Sequence, residues 1–200
     1  MTNKFLLIPF IIGSFLFYSC DDSSEPEESE TVVNYSDKDQ NLFDFQAFSL
    51  TPYQINALIY LPDETADIGA ATDPNIEHEL DDYKWDIFLG QNFHMRILDW
   101  GEDDGIAVHK EELEELSHIY DVEFIEDTPD FIYYKRTLKA KAVNDAGKSV
   151  GVNHVTYHCL GNHRIDGINY VFRSNDDGIP KPIAEYMIKS IKSVEEIRPT

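Results

Sequence analysis

The 200-residue chain predicts an α+β domain, an antiparallel β-sheet with packed helices. Three observations carry that expectation. Apolar and polar residues alternate through several successive runs, two other segments space their apolar residues at helical intervals, and turn residues separate the runs with few crossover helices between them.

The elements follow in order. From Leu42 the chain turns apolar with Phe43, Phe45 and Phe48, and residues 54–61 read as a strand stopped by Pro62. Residues 64–83 are mixed and rich in Ala, Asp and Glu, open to a short helix or a long loop. Tyr83, Trp85, Ile87 and Leu89 alternate with Lys84, Asp86, Phe88 and Gly90, and Phe93, Met95 and Ile97 repeat the period after Gly90-Gln91-Asn92, which makes a β-hairpin. Residues 108–120 place Leu113, Leu116, Ile119 and Tyr120 at helical spacing with glutamates opposite, an amphipathic helix. Four extended segments follow, at 122–126, 131–139, 150–160 and 168–173. Asn144-Asp145-Ala146-Gly147, Gly161-Asn162 and Asp166-Gly167 read as turns, the last two competing for one hairpin whose register stays open. Pro180 and Pro182 suit the first turn of a closing helix with Ile183, Met187, Ile191 and Val194 as its buried stripe.

A strand ending in Leu61-Pro62, a Trp85 hairpin, a helix, a meander and a closing helix resemble in outline the PsbP-like fold of some small lipoproteins. The resemblance implies a fold and not an activity; members of that fold tend to be binding or assembly factors, which slightly favours a non-catalytic role.

Before the domain, Lys4 precedes an uncharged run from Phe5 to Phe17, followed by Tyr18, Ser19 and Cys20 and then Asp21 and Asp22. A basic start, a short apolar stretch and a small residue before the cut are the layout of a cleaved signal peptide over residues 1–19. A spanning helix needs about 20 apolar residues, and Pro9 and Gly13 weaken the shorter run further. The segment resembles the leader of bacterial lipoproteins, whose lipobox ends in Cys. Phe17 and Tyr18 depart from the Leu-Ala-Gly pattern of enteric bacteria and resemble the looser boxes of Bacteroidota. The resemblance implies a diacylglyceryl group on the Cys20 thiol and palmitate-type acylation of the new amino terminus. Each buried methylene contributes about 0.8 kcal/mol, so several acyl chains anchor the protein to a membrane of the envelope. The acidic run after Cys20 also resembles the signal that exports Bacteroidota lipoproteins to the surface, which implies the outer membrane, on its periplasmic or surface side; in an enteric cell Asp21 beside the acylated Cys20 would instead mark inner-membrane retention, so the host decides the leaflet.

Residues 20–41 carry eight acidic residues against Lys38 and almost nothing to bury, the composition of a disordered tether reaching at most about 70 Å and as a coil about 25 Å. Residues 42–200 then make one domain, large enough for a core without staples. With Cys20 lipidated, Cys159 has no disulfide partner in the chain.

The net charge of −22 excludes nucleic acid, whose binding rests on many Lys and Arg contacts to phosphate. The charge is lopsided: residues 20–134 hold 31 acidic and 4 basic residues, residues 135–200 hold 7 and 11. One reading is solubility with a compensating basic end. The other is an acidic face that attracts a cationic protein.

Spacing decides among the metal and catalytic candidates. His154, His158, Cys159 and His163 are zinc-type ligands, but in a strand residues four apart lie about 13 Å from each other while zinc bonds are about 2 Å, and Cys159 points opposite to His158 as a small core residue. Only His158 and His163, across a Gly161-Asn162 turn, are left as a pair, and two ligands do not close a site. Asp99, Glu102, Asp103 and Asp104, with Glu111 and Glu112 after Gly105, offer carboxylates for calcium, but placing Gly105 at the sixth position of an EF-hand puts Trp100 at the first, and acids before a helix start are also simply favourable there. No nucleophile elbow, phosphate loop, HExxH pair or Ser-x-x-Lys occurs. His109 and His118, nine residues apart, are expected in solvent. Phe131, Tyr133, Tyr134, Tyr157, Tyr170 and Phe172 are expected in the core, with Tyr134 and Arg136, or Tyr133 and Lys135, as outward exceptions that would stack on a glycan or peptide.

The sequence therefore points to a lipid-anchored, non-enzymatic envelope protein without a cofactor. It is expected to engage a cationic protein partner through Asp99, Glu102, Asp103 and Asp104, one concrete form being an immunity protein that captures a basic toxin domain. The alternative is a hydrolase or ligand-binding lipoprotein acting on envelope material or glycan, which would show a deep pocket lined by His or Tyr.

Overall fold

Phe45 and Phe48 begin the first hairpin. In the computed structural model, which describes residues 42–69, 73–78, 83–139, 141–143, 149–151 and 154–198, β1 (Phe45–Ser49) pairs antiparallel with β2 (Ala57–Pro62), Phe45 opposite Pro62. The second strand starts three residues later than its apolar run, because a 3₁₀ turn at Thr51–Tyr53 leaves Gln54 in the left-handed region at φ 68°. Pro62, which has no N–H to continue the ladder, is its last residue. The described residues of the 64–83 span include a 3₁₀ turn, Glu64–Ala66, capped by the Asp63 carboxylate, and a short strand, β3 (Asn75–Glu77).

The Trp85 hairpin forms as its alternation requires. β4 (Lys84–Leu89) and β5 (Phe93–Asp99) bury Trp85, Ile87, Leu89, Phe93, Met95 and Ile97 on one face, while Tyr83 stays 73% exposed just ahead of the strand. Helix α1 (Gly105–Glu115) begins and ends earlier than its apolar spacing indicates. The Asp104 carboxylate accepts the N–H groups of Ile106 and Ala107 and so fixes the start. The buried positions are Ile106, His109 and Leu113, whereas Leu116 lies in a 3₁₀ turn, Ile119 is 37% exposed and Tyr120 opens the next strand.

The meander is β6 (Tyr120–Asp127), β7 (Phe131–Leu138), a short ribbon of β8 (Lys141–Val143) with β9 (Ser149–Gly151), β10 (Val155–Ile165) and β11 (Ile168–Ser174). One extended segment expected at 150–160 is thus divided between β9 and β10. The competition between two turns is decided by backbone conformation. Asp166 and Gly167 both take left-handed angles, φ 49° and 85°, and place Ile165 opposite Ile168 as a two-residue hairpin loop demands. Gly161 and Asn162 do not turn; they continue β10, paired to Phe172 and Val171. Helix α2 (Lys181–Lys192) opens with Pro182 in its first turn and buries Ile183, Ala184, Met187 and Ile191, and β12 (Glu195–Glu196) closes the described chain.

Seven strands make one antiparallel sheet in the order β3-β4-β5-β11-β10-β7-β6, and β1-β2-β12 make a second. The larger core lies on the α2 side, where Ile59 and Leu61 of the small sheet, Met187 and Ile191 of α2, and Met95, Cys159 and Phe172 of the large sheet are all buried. On the opposite face α1 covers a smaller core of Ile106, Leu113, Ile132, Tyr134, Leu160 and Val171. That cover is partial, and the remainder of the face is polar. The α+β architecture is therefore as the alternation predicts. The leader at 1–19, Cys20, the tether at 20–41 and the 144–147 turn lie outside the described residues.

Candidate functional site

The acidic loop between β5 and α1 is built by its own carboxylates. Asp99 Oδ1 accepts the Gly101 N–H at 2.8 Å, and Asp104 Oδ1 accepts Ile106 N–H at 3.0 Å and Ala107 N–H at 3.2 Å. The tip of the β10–β11 hairpin holds the loop from the other side: Asn169 N–H donates to Gly101 O at 2.8 Å, and the Asn169 amide donates to Asp103 O at 3.1 Å. Gly105 has to be glycine, since a Cβ there would run into the Val171 side chain. Glu102, Asp103 and Asp104 are exposed, and among the described residues neither they nor Asp99 forms an ion pair. Of the six calcium candidates Asp99 and Asp104 are thus occupied as caps and Glu112 faces His109, and no group of three metal-ligating residues occurs among the described residues.

The other acidic run behaves differently. Edge strand β6 carries Asp121, Glu123, Glu126 and Asp127, each met by a lysine: Lys139 at 3.0 Å, Lys135, Lys192 at 2.7 Å, and Lys110. These pairs neutralise the edge, and charged side chains along it discourage another strand from pairing there. A 470 Å³ depression beside it is lined by Leu113, Tyr120, Val122 and Phe124 with charged residues around them. A second, of 450 Å³, is lined by Phe131, Asn162, His163, Arg164 and Lys192.

The uncovered half of the α1 face holds a cluster that the sequence reading did not assemble. Asp86 accepts hydrogen bonds from His94 Nε2 at 2.7 Å and Arg96 Nε at 2.9 Å. Burial alone would raise the Asp86 carboxyl, but these hydrogen bonds and the Arg96 charge outweigh it and hold the group below the usual carboxylate range. Arg96 Nη1 also donates to Asp176 Oδ2 at 2.7 Å, Arg173 Nη2 to Asp176 Oδ1 at 2.6 Å, and Arg136 Nη2 to the Asp176 carbonyl at 3.1 Å. The guanidinium of Arg136 also lies 4.4 Å from the Tyr120 ring centroid. The only sequence signal was strand parity, which puts Arg96, Arg136 and Arg173 on the face away from the main core.

Next to this cluster three rings are buried. Glu112 lies 3.2 Å from His109 Nδ1, so a neutral His109 that donates there presents the Nε2 lone pair to the Tyr134 hydroxyl at 3.0 Å. Tyr134 stacks on His158, with centroids 4.9 Å apart and planes 7° from parallel, and His158 Nε2 is 2.9 Å from the Thr156 hydroxyl. His109 is therefore buried, not in solvent as expected, because it is the link between α1 and the sheet; His118 is exposed. Burial first, then the Arg173 charge, depresses His109, with Glu112 opposing. Burial, Arg136 and His109 push His158 down to about 3.

A Glu–His–Tyr alignment has the form of a nucleophile and its base, but Tyr134 is 1% exposed and burial raises its hydroxyl, which disfavours the phenolate and closes the ring off from solvent. Tyr133 is also buried and pushed up to about 12 by burial, which removes both outward stacking pairs. His158 and His163 sit on one continuous strand with opposite parity and cannot share an ion. Cys159 is fully buried, its thiol 3.9 Å from the Ala184 carbonyl, as the core reading expects.

No protein-family model matches the chain, and no curated protein sequence matches it. Among solved structures, the Ran-binding protein Mog1p of Saccharomyces cerevisiae is similar to it with a TM-score of 0.43 at 10% identity, over 76% of this chain and 95% of that one. A point mutant of Mog1 gives 0.44 at 10% identity, over 76% and 96%. Likenesses of that size assign no residue of this chain a role. No helix among the described residues is long and apolar enough to cross a membrane.

Proposed function

We propose that the chain is a non-enzymatic protein of the cell envelope, lipid-anchored through Cys20, which binds a cationic protein through Asp99, Glu102, Asp103 and Asp104. What supports the binding surface is a contrast in compensation. The acids of β6 are each matched by a lysine of the same chain, whereas the four acids of the β5–α1 loop have no cation among the described residues and stand on a backbone tied at both ends. A fixed, unneutralised negative surface speeds capture of a basic partner and loses that advantage as salt rises. An immunity-type lipoprotein that captures a basic toxin domain is the concrete form. The order of strand, hairpin, helix, meander and closing helix supports a PsbP-like outline, and with it a binding role.

The test is association with a basic partner recovered from envelope extracts, measured against ionic strength. Asp99 and Asp104 should be changed to Asn, which keeps their hydrogen bonds to the backbone, and Glu102 and Asp103 to Lys. The association rate is expected to fall about tenfold or more in the variant and to fall steeply with salt in the native chain. A partner that binds both proteins equally, or without regard to salt, contradicts the proposal.

A further inference from the structure

The polar half of the α1 face is short of acceptors. Arg96 and Arg173 are directly opposite each other on neighbouring strands, and like charges so placed repel. With Arg136 they set three guanidiniums against two carboxylates, Asp86 and Asp176, in a chain whose net charge is −22. Asp86 serves Arg96 and His94, and Asp176 is shared by all three arginines, its carboxylate by Arg96 and Arg173 and its carbonyl by Arg136.

Asp176 meets only half of what they offer. A guanidinium grips an oxyanion best through a two-pronged edge, Nε–H with the adjacent Nη–H. In Arg173 the Nη2 prong goes to the Asp176 carboxylate and in Arg136 to the Asp176 carbonyl, while both Nε–H donors are buried and have no acceptor among the described residues. Buried donors without a partner are costly and uncommon, and two on adjoining arginines mark a place where acceptor oxygens belong. The site is reachable: the Asp176 side chain is 62% exposed, and those of Arg96 and Arg173 are 23% and 16% exposed beneath it. The residue that seats the loop lies two positions on. Gly178, at φ 80°, packs where a Cβ would come within 2.6 Å of His158 Nε2, so Asp176 can swing on its own side chain while the loop base stays fixed.

We propose that Arg96, Arg136 and Arg173 form a binding site for a tetrahedral oxyanion, a phosphate or sulfate group, for which the Asp176 carboxylate is the internal stand-in. The oxyanion displaces that carboxylate and takes both prongs of Arg173 and the Nε–H of Arg136, whose Nη2 stays on the Asp176 carbonyl, with Arg96 supplying the third cation. This site is separate from the acidic loop, and it stands or falls independently of the partner-binding proposal.

The orphaned donors can be watched directly, since arginine Nε–H groups give resolved signals in ¹H–¹⁵N spectra. The full chain, ¹⁵N-labelled, is titrated with inorganic phosphate, inorganic sulfate, acetate and sodium chloride at matched ionic strength. Phosphate or sulfate is expected to shift the Arg136 and Arg173 Nε–H signals saturably, and the one that binds tighter identifies the group. Asp176→Asn, which removes the competing charge and leaves the three arginines in place, is expected to tighten binding about tenfold. Arg173→Gln is expected to abolish it, and if that variant fails to fold, the Asp176→Asn comparison decides alone. The proposal is overturned if the two Nε–H signals stay still in both the native chain and Asp176→Asn, if they follow chloride equally, if acetate binds as tightly as phosphate and sulfate, or if Asp176→Asn binds no more tightly than the native chain.

Discussion

Lowering the pH from 7 to 5 is expected to cost the fold about 2 kcal/mol through one imidazole, that of His158. The ring is 2% exposed, stacked on Tyr134, bonded to Thr156 and closed over by Gly178. Burial is the largest influence, followed by the charges of Arg136, His109 and Arg173, with Asp176 opposing; together they take the group from its ordinary 6.5 to about 3. The unfolded chain therefore binds the proton first. Stability from His158 is complete above about 6.5 and is lost progressively as pH falls from there towards 3, at up to about 1.4 kcal/mol per pH unit. Urea unfolding at pH 7 and pH 5 measures it. His158→Gln is expected to be less stable at pH 7 but to lose about 2 kcal/mol less than the native chain on acidification. Equal losses in the two proteins would show that His158 takes up its proton in the folded state. His109 and His163 are depressed in the same direction, so the difference between the two proteins, and not the total loss, is the informative quantity.

Gly161→Ala is expected to destabilise the protein by about 1–3 kcal/mol through overpacking, and the loss is expected to vanish when Ile191 is also shortened. At Gly161 helix α2 comes down onto β10, and a Cβ would collide with the Ile191 side chain and touch His163 and Phe131 at 3.4 Å. Ile191 is fully buried, so Ile191→Ala alone is expected to cost about 2–5 kcal/mol by leaving a cavity. In the double variant the new methyl enters that cavity. The pair is expected to be no less stable than Ile191→Ala alone, a coupling of about 1–3 kcal/mol by denaturant unfolding. Strict additivity would mean that helix and strand are not held at this distance.

The same glycine shows where sequence reasoning met its limit. Gly161-Asn162 has the local chemistry of a turn, and nothing in the neighbouring residues says that Ile191, thirty positions away, needs the space. The Asp166-Gly167 turn was legible from the same chemistry, because there the left-handed backbone and the dipeptide agree. The Trp85 hairpin and the α2 stripe were legible because apolar period and burial coincide in Trp85, Ile87, Leu89, Ile183, Met187 and Ile191. His109 was not, since an imidazole among glutamates reads as surface until Tyr134, on a strand 25 residues away, supplies its partner. The acidic loop could be named from sequence, but the separation of neutralised from unneutralised acids depends on pairs such as Lys192 with Glu126, 66 residues apart. The arginine cluster was hidden for the same reason, its members lying on three strands and joined through a loop residue.

The placement of the whole molecule rests on Cys20. Intact mass and top-down fragmentation of the protein purified from the cells that make it test this proposed anchor most directly. The account predicts a chain that begins at residue 20, heavier than its amino-acid mass by the diacylglyceryl and acyl groups, with every added mass on that cysteine and its amino group. A chain that retains residues 1–19, or one that begins at residue 20 with a free thiol, contradicts it.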